Sequence, residues 1–276
     1  MIPLPDDPSK PIGIFDSCVG GLTVVKQVLD RLHREAIVYF GDTARVPYGT
    51  KSAKAVQAFA VQDTEFLLRQ GVKMVVVACH TASSVALDVL VGRFAVPILG
   101  VVEPGVDSAL KSTRNRKIGV IGTRATIASR TYERQLAAKG AGVRVHSRAC
   151  PLFVPFAEEG WLEGEIIRKV AETYLQPFRE SGIDTMILGC THYPLLKTVI
   201  AQVLGDGVVL IDSATETARV IQSRLAELKL ENTRNTIPEH RFTVSDIPDP
   251  FREVGERFLG KKLGPIEQID IEKIQA

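Results

Sequence analysis

The chain has no uninterrupted stretch of about 18 apolar residues, so a membrane-crossing helix is not expected. Its start, MIPLPDDPSKP, has neither the basic opening nor the apolar stretch of a secretory signal, and the expectation is a cytoplasmic protein. Charge of one sign is also missing. The 34 basic and 32 acidic residues leave a net charge of +2, and the one local basic cluster, Lys111 to Lys117, is short and interrupted. No nucleic-acid footprint is indicated. Cysteine is sparse, with Cys18, Cys79, Cys150 and Cys190 far apart and no C-x-x-C pair, which argues against a structural zinc module and a disulfide framework alike. The glycine-rich turns match neither dinucleotide nor Walker spacing, so no nucleotide is implied. No lysine stands where a pyridoxal-phosphate Schiff base would need one, and the expectation is an enzyme without a cofactor or metal.

What the sequence does contain is ordinary globular material, 45% hydrophobic and 24% charged. Short β-branched runs at Pro11–Phe15, Ile37–Phe40, Met74–Ala78, Ile98–Val101, Lys117–Ile121, Val143–His146, Thr185–Leu188 and Val208–Ile211 read as strands. Between them, apolar residues spaced three and four apart predict helices over Leu22–Leu32, Ala53–Gln70, Ser83–Val91, Ala125–Lys139, Glu163–Leu175, Leu195–Leu204 and Glu216–Leu228. Such alternation predicts an α/β protein with mostly parallel sheets flanked by helices.

Two motifs recur at nearly the same displacement. Ile12-Gly13-Ile14-Phe15-Asp16-Ser17 resembles Ile118-Gly119-Val120-Ile121-Gly122-Thr123, and Val75-Val76-Val77-Ala78-Cys79-His80-Thr81 resembles Met186-Ile187-Leu188-Gly189-Cys190-Thr191-His192. The repetition predicts two similar domains related by pseudo-twofold duplication. Ligands of open parallel sheets bind beyond the carboxyl ends of strands, so all four motifs should meet in a cleft between the halves.

A buried cysteine is ordinarily a small hydrophobe. Here each of two thiols closes an apolar strand and opens a polar segment leading to a helix, where the helix dipole is expected to favour the thiolate. Two matched thiols on opposite walls suit racemisation: the α-proton leaves one face and a proton returns to the other, so an acid and a base must face each other and exchange roles. Hydroxyls and amides at Asp16-Ser17, Gly20-Gly21 and Gly122-Thr123 with Thr126 would stabilise charge on the substrate carboxylate. A cysteine hydrolase needs a single nucleophile and leaves the second thiol without a task.

The residues then reach a known family. The stretches 13–24 (GIFDSCVGGLTV), 39–52 (YFGDTARVPYGTKS), 76–83 (VVACHTAS), 100–105 (GVVEPG), 118–126 (IGVIGTRAT), 150–160 (CPLFVPFAEEG) and 188–196 (LGCTHYPLL) resemble bacterial glutamate racemases, as does the tail 242–260. The resemblance implies Cys79 and Cys190 as the two bases, Asp16 beside the first, His192 beside the second, and Glu158 or Glu159 assisting. It implies a substrate pocket of Asp16, Ser17, Pro47, Tyr48, Gly49, His80, Thr81, Thr123, Thr126, Thr191 and His192. It further implies a first lobe of residues 1–103 plus 213–276, a second of 104–212, a homodimer, and D-glutamate made for peptidoglycan.

Two positions depart from the family's pattern. Cys18 stands where the family has Gly, in a turn expected to need positive φ, at a cost of about 1–2 kcal/mol. His80 stands where it has Asn, and gaining charge near pH 6.5 would shift the pH dependence or the range of side chains accepted. Altered specificity, toward aspartate or more broadly, and a weakly active binding protein are the alternatives these changes raise.

Overall fold

A computed structural model describes residues 7–271, so the first six residues of the N-terminal segment and the last five of the C-terminal one lie outside the described residues. The strands in chain order are β1 (Ile12–Asp16), β2 (Ile37–Gly41), β3 (Met74–Val77), β4 (Ile98–Gly100), β5 (Lys117–Gly122), β6 (Arg144–Ala149), β7 (Thr185–Gly189), β8 (Val209–Asp212), β9 (Arg241–Val244) and β10 (Ile266–Gln268). The helices are α1 (Leu22–Arg31), α2 (Ala53–Arg69), α3 (His80–Val85), α4 (Leu87–Arg93), α5 (Val102–Ser112), α6 (Arg124–Ala128), α7 (Thr131–Lys139), α8 (Phe153–Glu158), α9 (Glu165–Ser181), α10 (Lys197–Leu204), α11 (Ser213–Glu227) and α12 (Pro248–Leu259).

The strands form two parallel sheets, one ordered β10-β9-β2-β1-β3-β4 and the other β6-β5-β7-β8. The near-continuous apolar runs explain this arrangement, because a parallel strand covered by helices on both faces must be apolar on both. Along β2, Ile37 and Tyr39 enter the core shared with α1, α11 and α12, while Val38 and Phe40 enter the opposite core against α2. The second sheet repeats the scheme: Met186 and Leu188 of β7 pack with α9 and α10, and Ile187 packs against α5 and α7. At about 25 cal/mol per Å² of buried apolar surface, these four cores supply the main drive to fold.

The predicted strands of both sheets form, and the differences lie mostly in helices. The helix expected over Ser83–Val91 begins at His80 and divides near Ala86 into α3 and α4. The one expected over Ala125–Lys139 is broken at Arg130, whose φ of 53° is left-handed. The one expected to stop at Leu175 continues through Pro177 to Ser181. An interior proline costs about 3 kcal/mol, and the continuous buried face of Ile167, Ala171, Leu175 and Phe178 offsets it. Helix α5 was not expected; its Pro104 sits in the first turn, where the missing N–H has no bond to make.

Among the described residues no helix is long and apolar enough to cross a membrane.

Candidate active site

Strand register brings the repeated motifs to one place. In the first sheet β1 lies between β2 and β3, with Phe15 paired to Val77, so the chain beyond those residues puts Ser17 level with Cys79. Their side chains meet, Cys79 Sγ lying 3.6 Å from Ser17 Oγ. In the second sheet Gly122 pairs with Gly189, and Thr123 and Cys190 are the next residues on each strand. The two sheets turn these carboxyl ends toward a single cavity of about 350 Å³. Cys79 and Cys190 both line it, as do Ser17, Pro47, Tyr48, Gly49, His80, Thr81, Thr123, Glu158, Thr191 and His192.

Three expected residues are placed differently. Asp16 is fully buried behind the wall, its Oδ2 accepting from Gly21 N at 2.8 Å and Cys18 N at 3.4 Å, while Oδ1 has no protein partner. Thr126 also stands behind the wall, 2.9 Å from Thr123 Oγ1 and 3.2 Å from Thr81 Oγ1. With Thr81 and Thr123 only 2.9 Å apart, three hydroxyls form a cluster joining α3 to α6, one helix from each lobe. Of the two candidate glutamates, Glu158 reaches the cavity; Glu159 is the exposed C-cap of α8 and does not line it.

The electrostatics of the two walls differ. Cys79 is the N-cap of α3, yet its thiol is not lowered as the helix dipole suggests. Burial, and then the negative charge of Asp16, push it up to about 12, against the weaker pull of Ala82 N–H and Ser17. A six-residue helix has a small dipole, and desolvation outweighs it. Burial likewise raises Asp16, opposed by His192 and by backbone N–H groups. His80 is 4% exposed, and neither ring nitrogen has a protein partner. Burial, helped by His192, pulls its pKa down to about 3, so the charge change expected near pH 6.5 does not occur.

Cys190 is followed by a short turn at Tyr193–Leu196 before α10 begins, so it is not a helix N-cap, and its partner is a side chain instead. Cys190 Sγ lies 3.8 Å from His192 Nδ1, and His192 Nε2 lies 2.9 Å from Glu158 Oε1. Burial disfavours the imidazolium, but the bonds to Cys190 and Glu158 outweigh it and hold the ring's pKa up to about 10.

Some contacts that shape the site do not follow from the sequence motifs, and Arg124, Arg257 and Phe258 were not singled out at all. Gly20 permits the two lobes to touch: a Cβ there would lie 2.2 Å from Thr191 Oγ1 and 2.6 Å from the His192 ring. The C-terminal helix α12 backs the second wall, with Phe258 edge-on to His192 at 5.1 Å between ring centroids and Arg257 donating to the Glu158 carbonyl. Only the matching tail hinted at this. Cys18 and Arg124 also line the cavity. Cys18 is not among the residues with positive φ, so the expected strain is absent. All four cysteines are free, and Cys150 lies in the core of the second sheet. Among the described residues no group of His, Cys, Asp and Glu has metal-holding geometry, and no lysine lines the cavity.

The chain is similar to known proteins along nearly its whole length. It is 49% identical over 265 residues to the glutamate racemase of Geobacter metallireducens, covering 96% of this chain and 98% of that one. The solved glutamate racemase of Francisella tularensis, in complex with D-glutamate, superimposes with a TM-score of 0.91 at 43% identity, covering 96% and 99% of the two chains. That of Thermus thermophilus, in complex with β-chloro-D-alanine, does so with a TM-score of 0.89 at 43% identity, covering 97% and 100%. Residues 20–221 match the Asp/Glu/Hydantoin racemase family, and, with strand-end thiols from two duplicated sheets facing one cavity, the chain belongs to that family of isomerases.

Proposed function

We propose that this protein interconverts L- and D-glutamate without a cofactor, Cys79 and Cys190 serving as opposed acid and base. The observation that carries the reading is that two thiols, each closing a strand of a different sheet, line one cavity of about 350 Å³, room enough for a small amino acid. In one direction the thiolate on one wall takes the α-proton and becomes a thiol. The thiol on the other wall gives its proton to the opposite face and becomes the thiolate, so the pair ends with roles reversed and no net proton change.

The neighbours divide the remaining work. Burial and the charge of Asp16 keep the Cys79 thiol protonated, and a substrate ammonium bound in the cavity would ease its ionisation. His192, whose imidazolium is favoured by its bonds to Cys190 and Glu158, lies 3.8 Å from Cys190 Sγ, within reach of that acid or base. The hydroxyls of Ser17, Thr81, Thr123 and Thr191 can donate to carboxylate oxygens as charge spreads from the α-carbon. The glutamate bound in the Francisella relative supports this choice of substrate. A cytoplasmic enzyme of this kind would supply D-glutamate to peptidoglycan synthesis. The expected homodimer belongs to the same reading, and sedimentation velocity reads it.

The test is isotopic. With L-glutamate in deuterated buffer and no added cofactor, deuterium should enter the α-position while optical rotation decays to zero. Turnover of aspartate but not glutamate would overturn the substrate assignment, and tight glutamate binding without exchange would make the chain a binding protein.

A further inference from the structure

Behind the cavity wall stands a buried group that the reaction above does not use. Asp42 follows β2, Arg45 ends the Thr43–Arg45 turn, Asp63 lies on α2, and Tyr48 presents its body to the cavity and its hydroxyl to the group. Both carboxylates are 0% exposed. Arg45 Nε lies 2.6 Å from Asp42 Oδ2 and its Nη2 lies 2.8 Å from Asp63 Oδ1. Ser245, beyond β9, donates to Asp42 Oδ1 at 2.9 Å. Tyr48 donates its hydroxyl hydrogen to Asp42 Oδ2, in a very short bond, while its Oη also lies 3.0 Å from Asp63 Oδ2.

Counting hydrogens exposes a shortage. Asp42 receives three, from Tyr48, Arg45 and Ser245, as a carboxylate should. Tyr48 has one hydroxyl hydrogen and spends it on Asp42, so its contact with Asp63 would set two hydrogen-poor oxygens face to face unless Asp63 supplies a hydrogen. Counting charge leads to the same place. Two buried carboxylates against one guanidinium leave an uncompensated negative charge, which a single proton removes.

We propose that Asp63 is a carboxylic acid at neutral pH and donates to Tyr48 Oη, which makes it a positioning residue for racemisation. Burial, and then the charge of Asp42, hold Asp63 well above the usual carboxylate range, with Arg45 pulling the other way. The clamp fixes Tyr48 and, with it, the neighbouring Pro47 and Gly49 of the cavity wall. Gly49 packs so closely on the second lobe that a Cβ there would lie 2.7 Å from Thr123 Cβ, so tilting this loop disturbs the wall on both sides.

The kinetic part of the inference rests on the cavity being the glutamate site; the protonation part does not. The test therefore has two arms on the full chain: infrared spectra at neutral pH, and KM and kcat for glutamate in Asp63→Asn and Asp63→Ala. The wild type should show a protonated-carboxyl stretch that Asp63→Asn lacks. An asparagine amide can replace the acid by donating to Tyr48 and accepting from Arg45, so Asp63→Asn should keep KM within about two-fold. Asp63→Ala orphans both partners and should raise KM about ten-fold, with a smaller change in kcat. An unchanged stretch in Asp63→Asn, a KM as high in Asn as in Ala, or an unmoved KM in a folded Ala variant would each overturn the proposal. If the wild type itself does not turn over glutamate, the infrared arm alone decides protonation and the fault lies with the assigned reaction.

Discussion

The wall carrying Cys79 and the wall carrying Cys190 are built from the same piece of backbone, a buried parallel strand ending in a thiol, yet they are electrostatically opposite. Beside Cys79 stand a neutral His80 and the buried Asp16, and the thiol is held protonated. Beside Cys190 stands a cationic His192 anchored by Glu158. Two histidines within one cavity, both nearly inaccessible to water, thus have pKa values of about 3 and about 10. The difference is one of partners. His80 has none from the protein, so desolvation, helped by the charge of His192, acts unopposed; His192 has a partner at each ring nitrogen. A duplicated scaffold can place matched groups, while neighbours such as Asp16 on one wall and Glu158 on the other decide how each behaves.

The comparison can be broken most severely by removing either thiol. Cys79→Ala and Cys190→Ala should each lower racemisation at least about 10²–10⁴-fold, read as the rate of loss of optical rotation. Next, His192→Asn should cost about 10²-fold and remove the alkaline limb of the pH–rate profile. The sign follows from the raised pKa: the imidazolium is present below about 10 and is lost as pH rises through it. The stability that His192 gains from its partners is complete below its ordinary value of 6.5 and disappears over the same rise, so the melting temperature of wild type should fall toward pH 10 more than that of the variant.

Gly20→Ala sharpens the contact between walls. Its Cβ would press Thr191 and the His192 ring apart from the first lobe, costing about 1–3 kcal/mol in denaturant unfolding, with kcat falling more than stability explains. His80→Asn is gentler. Because His80 stays neutral, the profile between about pH 5 and 9 should match wild type, while KM and the range of accepted side chains change less than about ten-fold. The folded state resists protonating His80, so stability falls as pH drops from 6.5 toward 3, and the variant should lose that part of its acid sensitivity. The smallest effect belongs to Cys18→Gly. With no positive φ to relieve, it should loosen the unfolded chain and remove a small partly buried side chain packed against the first core, destabilising by about 1 kcal/mol in a thermal melt.

Much of this molecule was legible because its signals are local. Runs such as Met74 to Ala78 mark buried parallel strands, and repetition of the strand-end motifs marks two halves. The misreadings were also local rules overruled from a distance: Pro177 does not end α9, and the helix dipole does not lower Cys79. Packing along a buried helix face and desolvation of a thiol are sums over neighbours that spacing along the chain does not reveal.

The sequence by itself therefore determined the α/β class, the internal duplication and which two thiols follow the ends of apolar strands, since each depends on which residues follow one another. Only the tertiary structure decided that Glu158 rather than Glu159 meets His192, that His80 stays uncharged, and that Asp63 stands behind Tyr48. Each of those outcomes depends on distances between segments far apart in the chain, and on the water that folding excludes from between them.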